Sequence, residues 1–102
     1  MSGFEPVARA DEIPPGTGKQ LVLGPHVIAL FNVDGSFYAI DGVCLHRGGP
    51  VGEGDLEGTV VTCPWHGFQY DVTTGRMVTD PEVGLERYEI EVVDGVIRVA
   101  VE

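Results

Sequence analysis

Positive charge, cysteine and long apolar runs are all scarce in this sequence, and each scarcity excludes something. Six Lys and Arg stand against sixteen Asp and Glu, a formal charge of -10 over 102 residues. Such a surface repels phosphate backbones and anionic lipid, which argues against nucleic acid and membrane partners and for a basic protein surface. The longest stretch free of Asp, Glu, Lys and Arg, Gln20 to Val33, is interrupted by Gly24 and Pro25. It falls short of the ~20 apolar residues a spanning helix needs. The opening MSGFEPVARADE carries acids where a secretory signal carries a basic patch and an apolar run. Two cysteines are too few to staple a secreted scaffold. Together these features predict a cytoplasmic protein. A chain this short buries roughly 65% of the surface its unfolded form exposes, enough for one modest core, so a single domain over 1–102 is expected.

Helical spacing is almost absent as well, and what replaces it is a series of short β-branched and aromatic runs bounded by turn residues. The expected class is all-β. His26 to Val33 and Ser36 to Asp41 flank Asp34-Gly35, a pair suited to the positive φ of a two-residue hairpin turn. Asp94-Gly95 plays the same part between Tyr88, Ile90 and Val92, which alternate with Arg87, Glu89 and Glu91, and the run Val96 to Val101, whose odd positions Ile97, Val99 and Val101 can face a core. Lys19 to Leu23, Thr59 to Thr62 and Gln69 to Val72 read as further strands, the last followed by a Thr73-Thr74-Gly75 turn. Ala10 to Ile13 reads as one helical turn stopped by Pro14-Pro15, and Pro14 to Gly18 as a surface loop.

Between the hairpins lies a segment of different character, GVCLHRGGPVGEGDLEGTVVTCPWHG, over residues 42–67. It holds both cysteines and two of the three histidines. Cys44 and His46 are two apart and, in extended chain, point to one side. Cys63 and His66 end a four-residue turn with Pro64 at its second position, where the fixed φ of proline is favoured. The glycines around them suit tight loops whose amides can turn toward a buried anion. Cys-x-His, sixteen residues, then Cys-x2-His can hold one zinc or one binuclear iron-sulfur cluster.

The order of these ligands resembles the Rieske family, and the resemblance continues through FQYDVTTG, residues 68–75, which is similar to the strand and turn after the second loop in soluble Rieske ferredoxins. It implies a Rieske iron-sulfur fold, a small antiparallel β-sandwich or barrel with cluster-binding loops at about 42–50 and 63–68. It also implies one [2Fe-2S] cluster per chain, with Cys44 and Cys63 on one iron and His46 and His66 on the other. Rieske subunits of respiratory cytochrome bc complexes carry an extra cysteine in each loop, joined as a disulfide, a Ser two positions after the second His, and a membrane anchor. Here Gly49 and Trp65 stand at the cysteine positions, Phe68 replaces the Ser, and Tyr70, a second donor in those subunits, is kept. These departures point to the soluble, low-potential branch.

The function that follows from the resemblance is one-electron transfer from a flavoprotein NAD(P)H reductase to a terminal oxygenase, by a carrier that is monomeric when free and is not itself an enzyme. A small subunit of an NAD(P)H nitrite reductase, bound to a reductase large subunit, is one alternative; a zinc-stabilised binding module is another. Trp65 either covers the cluster from water or contacts a partner, and Arg47 either raises the potential or pairs with an acid. His26, with no ligand neighbour in sequence, reads as a surface or strand residue. The acids Glu53, Asp55, Glu57, Glu82, Glu86, Glu89 and Glu91 read as a solvated face, with docking as the sharper alternative.

Overall fold

The computed structural model describes residues 3–45, 48–65 and 67–101. Its regular elements are strands, with short 3-10 turns at Ala10–Glu12 and Val51–Glu53. The strands are β1 (Gly3–Arg9), β2 (Thr17–Leu23), β3 (His26–Val33), β4 (Ser36–Asp41), β5 (Asp55–Glu57), β6 (Val60–Thr62), β7 (Gln69–Asp71), β8 (Arg87–Tyr88), β9 (Ile90–Val93) and β10 (Val96–Val101). They form three antiparallel sheets, β1-β10-β9, β2-β3-β4-β8 and β5-β6-β7.

Both Asp-Gly pairs turn hairpins as their chemistry requires. Asp34 and Gly35 sit at φ 52° and 92°, Asp94 and Gly95 at 53° and 77°, the double positive φ of a type I′ turn. A third hairpin joins Leu23 to His26 through Gly24, at φ 60°, and Pro25.

Strand β3 organises the molecule. Its residues Ile28 to Phe31 are all fully buried, yet alternate residues go to different cores. Ile28 and Leu30 join Ile13, Ala39, Ile97 and Val99, beneath the β1-β10-β9 sheet. Ala29 and Phe31 join Ile40, Val51, Val61, Tyr70, Val72, Leu85 and the two cysteines. The apolar run HVIALFNV is therefore continuous because both faces of the strand are covered. Asn32, the buried polar residue at its end, is satisfied: Nδ2 donates to the Ile13 carbonyl at 2.7 Å and Oδ1 accepts from the Gly35 amide at 2.7 Å.

Several details differ from expectation. β2 starts at Thr17, so two residues of the expected 14–18 loop are strand; Gly18 lies so close to the Phe31 ring that an added Cβ would come within 2.6 Å of it. Two strands, β1 and β5, carry no signal of their own. Val92 on β9 is 45% exposed, whereas Ile97 and Val99 on central β10 are buried and Val101 is half-buried against the same core. His26 opens β3 with its ring edge-on to Tyr88, centroids 6.0 Å apart.

Candidate metal centre

Two short loops next to the second core are closed by one hydrogen-bond pattern used twice. The Cys44 amide donates to the Gly49 carbonyl at 2.9 Å, and the Gly48 amide to the Cys44 carbonyl at 3.1 Å. The Cys63 amide donates to the Phe68 carbonyl at 2.7 Å, and the Gly67 amide to the Cys63 carbonyl at 3.0 Å. Each cysteine thus begins a six-residue loop whose fifth member is a glycine, Gly48 at φ 70° and Gly67 at φ 76°. A residue with a Cβ is strained there, so glycine four positions after each cysteine is the local reason that both loops close. The shared closure holds although His46 stands two residues after its cysteine and His66 three after its own. His46, Arg47 and His66 lie outside the described residues.

The closure turns both cysteines inward, at 2% and 1% exposure. Tyr70, fully buried at the centre of β7, places its hydroxyl 3.3 Å from Cys44 Sγ and accepts from the Leu45 amide at 3.2 Å. Either atom of that pair can donate; a thiolate at Cys44 would accept from the Tyr70 hydroxyl, whose oxygen already takes the Leu45 amide. Burial, then the contact with Cys44, pushes the Tyr70 pKa above the ordinary phenol value, which keeps that hydrogen in place. Asp41, just before the first loop, is also raised, chiefly by burial and against the opposing pull of the Val43 amide.

The loops meet through small residues. A Cβ on Gly49 would stand 2.8 Å from Cys63 Sγ and 3.1 Å from Trp65 Cβ. Disulfide-bonded cysteines hold their Cβ atoms about 3.5–4.5 Å apart, so Gly49 and Trp65 stand nearly where a loop-to-loop disulfide would. Trp65 Cβ and Cγ lie against Gly49 while 58% of the residue faces solvent. Val43 and Leu45, exposed at 40% and 52%, are the other large apolar residues exposed on these loops. Gly54 lies against the carbonyl of Thr62, the residue before Cys63, with no room for a Cβ. That close approach sets the first loop's exit against the second loop's entry. The sequence marks Gly48, Gly54 and Gly67 only as tight-loop glycines; the structure adds the positive φ that closes each loop at Gly48 and Gly67 and the close approach at Gly54.

Two buried thiols at the mouths of matched loops, one with a hydroxyl donor, suit a thiolate-ligated metal group better than inert core cysteines. Among the described residues no helix is long and apolar enough to cross a membrane.

Likeness to known proteins agrees with this chemistry. The ferredoxin CarAc of Metapseudomonas resinovorans is 36% identical over 96 residues, covering 92% of this chain and 90% of that protein. In a solved complex of reduced oxygenase and oxidized ferredoxin of carbazole 1,9a-dioxygenase, one chain superposes with a TM-score of 0.85 at 34% identity, covering 95% of this chain and 92% of its own length. A Mycobacterium tuberculosis protein assigned as an NADH-dependent nitrite reductase small subunit superposes with a TM-score of 0.89 at 25% identity, over 100% and 97% of the two chains. The model of the Rieske [2Fe-2S] domain matches residues 3–89. With nearly the whole chain matched and the paired cysteine loops inside the match, this protein belongs to the Rieske [2Fe-2S] domain family.

Proposed function

We propose that the chain is a cytoplasmic one-electron carrier, a single Rieske domain over 1–102 that passes electrons from a flavoprotein NAD(P)H reductase to a terminal oxygenase. In this reading the loops at about 42–50 and 63–68 hold the cluster, Cys44 and Cys63 on one iron, His46 and His66 on the other. The observation that carries it is the repeated closure that turns two buried thiols inward from adjoining loops. When bound, a [2Fe-2S] cluster with this ligand set accepts and returns one electron, and its two neutral imidazoles keep less negative charge on it than four thiolates would. The chain's own contribution is to bury the sulfurs, aim Tyr70 at Cys44 and present Leu45 and Trp65 to a partner.

The reconstituted protein should be reddish, carry acid-labile sulfide and, once reduced, give a paramagnetic resonance g average below that of all-cysteine clusters. A colourless protein with one zinc per chain would overturn the reading. His46→Ala or His66→Ala should lose or convert that spectrum, and disorder in the loops should accompany the loss, since metal-binding energy is folding energy for segments this poor in apolar residues.

Tyr70→Phe removes the donor at Cys44 while keeping the ring in the core. A hydrogen bond that favours the more negative reduced state by ~1 kcal/mol is worth about 40 mV for one electron. Voltammetry of the variant should show a midpoint lower by about that amount, and an unchanged midpoint would mean the hydroxyl points elsewhere.

Charge and apolar surface divide the work of docking. Glu53, Asp55, Glu57, Glu82, Glu86 and Glu89 are exposed, and Glu91 pairs with Arg98 at 3.3 Å. An acidic exterior of this kind steers encounter with a basic partner. Stopped-flow reduction by the reductase should therefore lose ~10-fold or more in second-order rate constant between 0.1 and 1 M salt, as the Debye length shrinks from ~10 to ~3 Å. The limiting rate at saturation should hold, because the final contact is apolar. A second-order constant flat in salt would remove the steering.

A second reading, the small subunit of an NAD(P)H nitrite reductase bound to its large subunit, is favoured by the end-to-end likeness to the Mycobacterium tuberculosis structure. Size exclusion of the native protein separates the two, since a free carrier elutes as a monomer of about 11 kDa.

A further inference from the structure

Outside the cysteine loops, one side chain is tied to both ends of the first loop. Gln20 lies on β2, on the face shared with Gly18 that looks toward the cysteine-side core, whereas Leu21 and Leu23 pack into the other core. Its Nε2 donates to the Gly42 carbonyl at 2.7 Å, and its Oε1 accepts from the Gly52 amide at 2.6 Å. The two residues bracket Cys44 and the rest of the loop. The Gly42 carbonyl also accepts from the Val51 amide at 3.1 Å, so the neck is already a backbone pair to which the Gln20 amide adds a second rung. The fit is close: a Cβ on Gly52 would stand 2.8 Å from the Gln20 backbone, and one on Gly42 2.8 Å from Nε2. Glycine at both positions lets β2 approach the neck, and an amide is the group that donates to one strand of it while accepting from the other.

We propose that Gln20 is a positioning residue for the redox centre: by clamping Gly42 to Gly52 it fixes where Cys44 and Leu45 stand relative to Tyr70, and so fixes the hydrogen bond that tunes the centre. The inference rests on the assignment of Cys44 as a cluster ligand. Nothing in the linear sequence marks the residue, a lone glutamine in a strand far from the ligands. Its effect passes through backbone it touches at both ends of the loop. With the clamp gone, the Gly52 amide loses its partner and the neck keeps one rung, so the loop drifts and the contact of Tyr70 with Cys44 lengthens.

The test uses the reconstituted holo-protein and three variants, Gln20→Leu, Gln20→Glu and Leu21→Ala. Gln20→Leu should lower the one-electron reduction equilibrium constant at least threefold, about 28 mV at 59 mV per tenfold, and should alter the resonance line shape, with far-UV circular dichroism retained. Gln20→Glu restores both hydrogen bonds only when its carboxyl is protonated, so at acid pH it should return to the wild-type potential and line shape while Gln20→Leu stays shifted. Leu21→Ala destabilises the same strand from the other core and should leave the potential in place. If Gln20→Leu holds no cluster while Leu21→Ala holds a full one, the clamp is needed for assembly and the proposal stands. A shift under threefold for Gln20→Leu, or equal loss of cluster in Leu21→Ala, overturns it. A wild-type protein without the cluster spectrum overturns the ligand assignment, and the clamp's redox role with it, which is a separate result from a wild-type cluster indifferent to Gln20.

Discussion

Protein-film voltammetry of the reconstituted wild-type protein is expected to give a midpoint below 0 mV, toward the lower end of the roughly -150 to +300 mV that Rieske centres span. Hydrogen bonds to the sulfurs, local charge and solvent exposure set where a centre falls. The Tyr70 hydroxyl lies 3.3 Å from Cys44 Sγ, placed to donate to a thiolate there. The position two after His66 offers no hydroxyl, because Phe68 turns an apolar side chain toward the cysteine-side core and contributes its carbonyl to the loop closure. Gly49 and Trp65 touch without a disulfide, and the net charge of -10 disfavours an added electron. A midpoint above about +100 mV, on the same scale, would mean that another donor replaces the missing hydroxyl, and the low-potential assignment would fall. With His46 and His66 as the proposed outer ligands, the midpoint should be level near neutral pH and fall in alkali, where reduction takes protons up. Tyr70 does not produce that fall. Its pKa is raised by burial, so the stability its neutral hydroxyl brings is full below the free phenol value of ~10, declines as pH rises above it and is gone once pH passes the higher folded value.

Gly49→Leu should abolish the visible spectrum. The added Cβ alone would stand 2.8 Å from Cys63 Sγ and 3.0 Å from Trp65 Cγ, and the larger side chain has the two loops on either side of it. Overpacking a tight site costs about 1–3 kcal/mol, and here the atom displaced is a proposed ligand, so iron per chain is expected to drop several-fold as the melting temperature falls. Gly48→Ala is the contrasting case. Among the described residues its Cβ would meet nothing nearer than Val43 at 3.5 Å, and the cost is the left-handed φ of 70°, about 1–2 kcal/mol of backbone strain. That variant should melt earlier yet bind a full complement of iron with an unaltered line shape. Equal iron in both variants would mean that Cys63 can retreat from residue 49.

The hairpins at Asp34-Gly35 and Asp94-Gly95 were legible because a type I′ turn admits few residues, and β3 because a run covered on both faces has no polar positions. β1 and β5 were not. The first, GFEPVAR, contains Pro6 and a register shift between Pro6 and Ala8, and becomes a strand through its pairing with β10, nearly the whole chain away. The second, DLE, exposes both acids and pairs with β6 at the edge of its sheet, with Leu56 alone turned to the core. Local composition cannot report a partner that distant. The same limit applies to the centre. Residue types and spacing singled out the cysteines, which the structure turns inward together, and His46 and His66, which lie outside the described residues; Tyr70 followed from the resemblance, but Gln20 is identified by two hydrogen bonds across a gap of more than twenty residues.

The pairing of Gly3 with Val101 has an engineering consequence. Both ends of the described chain leave the fold side by side on the β1-β10-β9 sheet, across β3 from the cysteines. A surface or a fused reductase attached at either end therefore leaves the apolar tip around Leu45 and Trp65 unobstructed. A short flexible tether holds its two modules at an effective concentration in the millimolar range, so a fusion to the reductase would make electron delivery independent of dilution while the tip stays free to dissociate and meet the oxygenase.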